Sequence, residues 1–406
     1  MFLKIAIKNI VVYKKRSIIT IVLTCFTTAL LVFSSAFWDG SHNKMIESAV
    51  EIYPGYLQIT QKDFRKTPSY DNLIFDAQSV RNTLTGISGI DIFSERFESF
   101  VLFSSGEKAV GGMFTGIEPK KEERLSRLKK SLKKGEYLSP DDHAKLYIGN
   151  ELAKRLKVDI GDVLSFVGTG ADFSFAADNV TVKGIFQTGL FDFDARAAFV
   201  SKSYFDEIMA AENYATHFIV LPDKPENAEE LAATISQKLG KEYQSLSWQK
   251  TMEGLVQAMK VDSIFGYITL GIIFIVIFFV IMIYTLLTVF ARVREIGILR
   301  AVGTTPSQIL RLLLLESVLL GMVSVIGGGL IGGALAYYFE LNPIVISGYE
   351  EQFKQYGLAA SAMPAVFSLS TLVRDMIVMF VLTVLSTLYP ILKINGYRPI
   401  DAIRHV

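Results

Sequence analysis

Only cysteine and histidine are scarce among the residues of this chain that could do bond-making chemistry, and no spacing gathers such residues into a site. The single cysteine, Cys25, lies inside an apolar run, so an internal disulfide or a cluster of thiolate ligands is excluded. The four histidines, His42, His143, His217 and His405, are scattered, and no two have metal-ligand spacing. No nucleophile, base and acid form a specific pattern. No G-x-x-x-x-G-K-S/T run offers a cradle for nucleotide phosphates. These observations predict a chain that is not an enzyme and binds no metal or cofactor of its own. The most informative segment is mechanical in character: RVREIGILRAVGTTPSQILRLLLLE, residues 292–316. Ile296, Leu299 and Val302 keep helical spacing, and Gly303 supplies a stop. Thr305 then caps a new helix, Pro306 suits its first position and Gln308 completes a capping box. A short charged helix ending in a tight corner suits docking into a cleft on a partner protein and carrying force. The same residues also suit an ordinary basic loop at a membrane surface. Glu316 reads as an interfacial or partner-facing acid near the end of its span rather than a proton carrier.

The elements that position this segment are membrane spans. Half of the 406 residues are hydrophobic and a fifth are charged, a mixture that fits spans plus a soluble domain. A helix needs about 20 apolar residues to cross the hydrocarbon. Ser17 to Trp38 and Ile264 to Ala291 contain no charged residue, and Leu312 to Phe339 contains only Glu316. Met376 to Leu392 is also uncharged but short, so the fourth span is placed from about Thr371. The predicted order is an amphipathic elbow over 1–16, spans over 17–38, 264–291, 312–339 and 371–392, a coupling helix and turn over 292–311, a loop over 340–370 and a tail over 393–406. The first apolar run is too long for a usual signal peptide, and Val-Leu-Thr before Cys25 lacks the small residues of a lipidation signal. Lysine and arginine concentrate in 1–16, in 292–311 and in the tail, whereas 340–375 is acidic. An even number of spans with both termini cytoplasmic satisfies that bias, which places 39–263 outside the cytoplasm. The net charge of +1 gives no reason to expect nucleic acid.

Residues 39–263 alternate strand-like and helix-like patterns and predict a large α+β domain of two subdomains. Tyr56–Thr60 reads as a strand, and 99–103 with 109–115 reads as a hairpin. Lys120–Lys134 and Asn150–Leu156 read as helices. Val163–Val167 and Val180–Phe186 read as paired strands around a loop, 168–179, that holds Phe173 and Phe175. Helices are placed over 201–209 and 226–238, with a strand at 218–221 between them. Apolar stripes in 40–53 and 248–262 fit helical stalks that lead into the spans; they equally fit packing on the domain's own core. In 1–16, Phe2, Ile5, Ile10 and Tyr13 are expected to face lipid. Gly328, Gly329, Gly332 and Gly333 form overlapping small-xxx-small pairs that allow close helix contact, within the chain or across a dimer.

The run Val293-Arg294-Glu295-Ile296-Gly297-Ile298-Leu299-Arg300-Ala301-Val302-Gly303, followed by Leu314-Leu315-Glu316, resembles the FtsX-like permease domain of ABC transporters. Tyr389-Pro390 with Arg398-Pro399-Ile400-Asp401-Ala402-Ile403-Arg404 is similar to that family's C-terminal signature, and Ala6-Ile7-Lys8-Asn9-Ile10 with Arg16-Ser17 is similar to its N-terminal elbow. Gly116-Ile117-Glu118-Pro119, Gly135-Glu136-Tyr137-Leu138, Ile148 to Ala153 and Val158 to Asp162 resemble the MacB-like periplasmic core. Within the family the likeness is closest to lipoprotein-releasing (Lol-type) permeases of the bacterial inner membrane, which use a separate ATPase.

The resemblance implies a homo- or heterodimer of permeases on two ATPase subunits, with ATP and Mg bound only by the ATPase. Arg294, Glu295, Ile296, Leu299, Arg300, Gly303 and Pro306 are the implied coupling residues. A lipoprotein would enter from the membrane between the first and second spans, past Phe33, Phe37, Trp38, Ile264, Phe265, Tyr267 and Ile268, and pass to a periplasmic carrier. The hairpin at Gly168, Phe173 and Phe175 is the candidate carrier site, or else folds back on the domain. The alternatives are a mechanotransmission exporter working with an adaptor and an outer-membrane channel, and a signalling permease that activates a cell-wall hydrolase.

Overall fold

The computed structural model describes residues 2–106, 108–345 and 362–395. The tail signature at Arg398–Arg404 and most of the predicted 340–370 loop therefore lie outside the described residues. The described chain forms two compact units, one of helices (Met1–Lys44, Met259–Val345 and from Ala362) and one of mixed α and β structure (Met45–Ala258).

Helix α1 (Phe2–Val12) is followed after one turn residue by α2 (Lys14–Ile52). The α1 face differs from the expectation. Ala6 is buried and Phe2, Ile5, Asn9, Ile10 and Tyr13 are half-buried against the protein, while Leu3, Ile7 and Val11 are exposed with Lys4 and Lys8. The stripe assigned to lipid is the protein-facing side, because its member Tyr13 and the neighbouring Asn9 find carboxylate partners there.

The mixed unit is built on β1 (Leu57–Gln61), β2 (Ile90–Ser105), β3 (Lys108–Ile117), β4 (Leu132–Gly135), β5 (Lys145–Gly149), β6 (Val163–Thr169), β7 (Phe175–Phe186), β8 (Ala197–Ser201), β9 (His217–Pro222) and β10 (Tyr243–Ser247). Its helices are α3 (Ala77–Thr85), α4 (Pro119–Leu125), α5 (Asn150–Leu156), α6 (Phe191–Asp194), α7 (Lys202–Ile208), α8 (Ala228–Leu239) and α9 (Trp248–Thr251). The long strand β2 serves two sheets. Its first half pairs with β9, which continues through β1 to β10. Its second half joins a ring in which β2, β3, β8, β5, β7 and β6 pair in turn and β6 returns to β2. Closure gives each of those six strands two partners over part of its length. Alternation along β2 points Val101 and Phe103 inward and Phe100 and Leu102 outward, the period-2 pattern of a strand with one buried face. Three buried clusters follow, one of them around Leu128, Tyr147, Phe186 and Phe199. Phe97, Phe103, Phe114, Phe166 and Phe205 fill the ring, and Leu57, Ile59, Val80, Leu84, Phe218 and Ile235 lie between β1, β9, α3 and α8.

Three local expectations are corrected. The predicted 120–134 helix ends at Leu125 and becomes β4. Arg127 donates its backbone N–H to the Glu51 carbonyl at 2.7 Å and its guanidinium to Glu47 and Glu51, and Leu128 is fully buried, so tertiary partners pull this charged stretch off the helix. The 168–179 loop is mostly ladder, with Thr169 paired to Phe175. The stripe at 248–262 is broken at Met252, whose backbone (φ −120°, ψ 50°) separates α9 from α10 (Glu253–Phe290).

After α10 come α11 (Val293–Ala301), α12 (Pro306–Leu341), the short β11 (Ile344–Val345) and β12 (Ala362–Met363) pair, and α13 (Leu369–Asn395). Among the described residues four helices are long and apolar enough to cross a membrane: Ser17–Ile52, Glu253–Leu287, Pro306–Leu341 and Leu369–Pro390. The glycine stripe packs inside the chain. A Cβ on Gly328 or Gly332 would strike Cys25, Thr28, Ala29 and Val32 of α2, and one on Gly329 would strike Met376 of α13. Removing side chains here lets backbones approach, which is how helices gain contact in lipid, where the hydrophobic effect does not drive them together.

Candidate functional site

Helix α11 is held between the ends of α10 and α12. Arg292 is its N-cap, and Gly303 takes φ +105° at the corner after it, a value side chains resist. Thr305 and Gln308 exchange the two capping-box bonds, with Pro306 in the first turn. Val289, Val293, Ile296, Ile309 and Leu313 bury one face of the corner in a common cluster. Of the apolar stripe read from sequence, only Ile296 is internal. Ile298, Leu299 and Val302 are exposed, Val302 at 82%, beside exposed Arg294 and Glu295. Arg300 is half-buried and Pro306 is exposed. The segment therefore presents an apolar edge flanked by charge, backed by a rigid corner. Such a surface can bind a protein cleft and transmit a push, and it holds no group arranged for bond chemistry.

Behind it lies an ionic knot of which sequence reasoning caught only a part. Arg292 donates Nη1 to Glu316 Oε2 at 2.9 Å and Nε to Glu295 Oε2 at 3.2 Å. Asn9 donates Nδ2 to Glu316 Oε1 at 2.6 Å. Tyr13 donates its hydroxyl to Glu295, and its ring lies under the Arg292 guanidinium at 4.9 Å. The Arg292 and Glu316 side chains are each only 9% exposed. Glu316 is thus an internal partner and not an acid facing a partner protein. An acid inside an otherwise apolar span was the available signal. A small cavity beside it is lined by Thr20, Thr285, Glu316, Ser317, Thr383 and Thr387.

The residues proposed to face a substrate separate into two sets. Phe33 and Phe37 are half-buried, with ring centroids 6.1 Å apart, and Phe33 meets Phe339 at 5.4 Å. Trp38 lies over Gly266, and one turn further on His42 Nε2 is 3.0 Å from Asp262 Oδ2, which clasps α2 to α10. Ile264, Phe265, Tyr267 and Ile268 are all exposed. Indeed α10 is the least packed apolar helix, 11% buried over its most apolar window against 33–39% for the others. In the β6–β7 hairpin, Gly168 lies against Val101 and the tip is tied down, with Ala171 N–H donating to the Met209 carbonyl at 2.7 Å. Phe173 sits at φ +65° with its ring edge-on to Tyr70, and Phe175 stays 78% exposed. The tip of the hairpin therefore folds back on the domain. Its exposed aromatics continue an uncharged outer sheet face through Val167, Leu102 and Phe100.

Residues 267–399 match the family model FtsX-like permease C-terminal, which spans the exposed helix, the corner and the two helices after it. This part of the chain is an FtsX-like permease domain. Over 312 residues the chain is 24% identical to the lipoprotein-releasing system transmembrane protein LolC of two strains of Xylella fastidiosa, covering 74% of this chain and 74% of each relative. Looser likenesses in solved structures are the periplasmic region of MacB from Actinobacillus actinomycetemcomitans and the extracellular domain of YknZ from Gram-positive bacteria. The first is 16% identical, covers 53% of this chain and 98% of that one, and has a TM-score of 0.36. The second is 12% identical, covers 47% and 99%, and has a TM-score of 0.33. The FtsX-like domain, the likeness to LolC and the four long apolar helices support an ABC transporter permease with several membrane spans. That family implies an ATPase partner and a dimeric arrangement, and its permeases are the non-catalytic part.

Proposed function

We propose that this permease extracts lipoproteins from the inner membrane and passes them to a periplasmic carrier. The observation that carries the reading is the likeness to LolC over most of both chains. Supporting it is an α10 face, Ile264, Phe265, Tyr267 and Ile268, that no element of the chain's helical unit covers. In the proposal both termini are cytoplasmic, as the basic flanks favour, and residues 39–263 are periplasmic. Two permeases, alike or different, stand on two ATPase subunits that bind ATP and Mg. Each coupling helix docks through Ile298, Leu299 and Val302, with Arg294 and Arg300 meeting acidic groups of the ATPase. The exposed α10 face takes acyl chains from the lipid. Drawing an acyl chain into water costs about 0.8 kcal/mol per CH₂, so three chains need an energy source beyond thermal motion. The uncharged outer face at Phe100, Leu102, Val167 and Phe175 is where a carrier would dock.

The test is recovery of the chain from native membranes in detergent, with mass spectrometry of everything retained. A small ATPase together with triacylated lipoproteins is the expected result. An ATPase with an adaptor and a channel, and no lipoprotein, would overturn release in favour of an exporter. Val302→Asp, at an exposed site, should abolish ATPase recovery while leaving the melting temperature unchanged. Retention of the ATPase would remove this edge from the interface.

A further inference from the structure

The knot behind the coupling helix joins four elements through five side chains. Arg292 stands at the joint between α10 and α11, so the direction of α11 is decided at this residue. Its guanidinium is shared between Glu316 on α12 and Glu295 on α11. Both carboxylates have a second donor, Asn9 on α1 for Glu316 and Tyr13, the turn residue that follows α1, for Glu295. A buried charge pair persists only when its remaining valences are satisfied, and losing one partner leaves an uncompensated charge. Without α1 and its closing turn residue, Glu316 would lack a donor, and Arg292 would lose the Tyr13 ring on one side of its guanidinium.

We infer that α1 is a positioning element for the coupling helix, and that Asn9 and Tyr13 hold Arg292, Glu295 and Glu316 so that α1 and α11 move as one body. The inference rests on the permease reading for its purpose and on the knot for its geometry. The outer face of α1, with Leu3, Ile7 and Val11 exposed beside Lys4 and Lys8, is chemically suited to lie in a lipid surface. A push received at Val302 therefore reaches α12 through Glu316 and, in the same movement, shifts α1 along the membrane. Asn9 and Tyr13 act through Arg292 and Glu295, not on any substrate.

The test uses the full chain with its ATPase in lipid nanodiscs, with Cys25→Ser and spin labels on cysteines introduced by Leu3→Cys and Val302→Cys. Pulsed electron-spin resonance should give one narrow Leu3–Val302 distance, unchanged between the nucleotide-free and the vanadate-trapped complex. Asn9→Asp sets a second carboxylate against Glu316 and should abolish the single narrow peak. Asn9→Asp with Glu316→Gln restores one acid and one amide and should bring the peak back, a rescue that general loss of fold would not give. Tyr13→Phe removes one hydroxyl on the exposed side of the knot and decides the matter if Asn9→Asp does not fold. It should broaden the distribution in the trapped state and leave ATPase recovery intact. A wild-type distance that shifts on trapping, or Asn9→Asp and Tyr13→Phe chains with the wild-type distribution, would overturn the inference. Absence of a co-purified ATPase would count against the permease reading alone, because the nucleotide-free distances of wild type and Asn9→Asp still decide whether α1 and α11 are fastened.

Discussion

At the scale of single residues, the mixed unit stakes much of its stability on buried charge. Arg96 and Glu122 are completely enclosed and paired, and Arg96 also donates Nη1 to the Tyr53 carbonyl at 2.6 Å and stacks over the Tyr53 ring at 3.9 Å. Arg96→Ala should destabilise the unit by about 3–5 kcal/mol, because Glu122 keeps its charge without a partner. Arg96→Met with Glu122→Leu should cost less than the single change. Denaturant titration of the three proteins checks the order, and a double variant worse than Arg96→Ala would refute the account. His217, next to this pair, is buried with Nε2 3.8 Å from Glu98 Oε1, too far to hydrogen-bond. Burial is the main cause of a pKa below its ordinary 6.5, with Arg96 and Arg65 lowering it further and Glu98 and Glu122 opposing. As pH falls the unfolded chain therefore takes up this proton first. The His217 contribution is complete above about pH 6.5 and is lost as pH falls below it. Asp206 acts in the opposite sense, since burial pushes it from 3.8 up to about 6 against the pull of Lys202, so its contribution shrinks as pH rises between those values. His217→Gln should flatten the acid-side loss of stability relative to wild type, read from melting temperatures across that range. An unchanged slope would mean that the ring does not control it.

At the scale of elements, α12 is the hub of the helical unit. It takes α2 against Gly328 and Gly332, α13 against Gly329 and Gly333, and the ionic knot at Glu316. Gly332→Val would force a side chain into Ala29 and Val32 and should cost about 1–3 kcal/mol by overpacking. The expected signature is a lower melting temperature in detergent with the oligomeric state unchanged. A lower dimer fraction at constant melting temperature would place the stripe between copies instead. The break at Met252 and the unbroken run of α2 also show that the two connections to the mixed unit are not equivalent elements, although both carry apolar stripes.

At the scale of the whole molecule, each unit has its own buried clusters, and the chain between Met45 and Ala258 contains all three of the mixed unit. A fragment of residues 45–258 should therefore be soluble and unfold cooperatively. Circular dichroism during heating checks this, and a non-cooperative melt would show that the helices are needed to complete its fold. The closed ring makes the prediction stronger than an open sheet would, because pairing β6 back to β2 leaves less strand edge to offer a neighbouring molecule.

The sequence by itself determined what depends on composition and local stereochemistry. Spans are legible because lipid demands long uncharged helices. The corner at Gly303–Gln308 is legible because a stop, a cap and a first-turn proline act over a few bonds. The 99–115 hairpin and α5 are legible for the same reason. Tertiary structure alone decided everything that needs a distant partner. Whether Phe2, Ile5, Ile10 and Tyr13 face lipid or protein depends on where Glu295 and Glu316 lie, far away in sequence. The charged run after Pro119 has helical propensity but yields to Arg127 reaching Glu47 and Glu51 and to β4 pairing with β7. Glu316 looks interfacial until Arg292 and Asn9 fold against it, since an isolated acid and a paired one are the same letter in a sequence and differ only in what surrounds them.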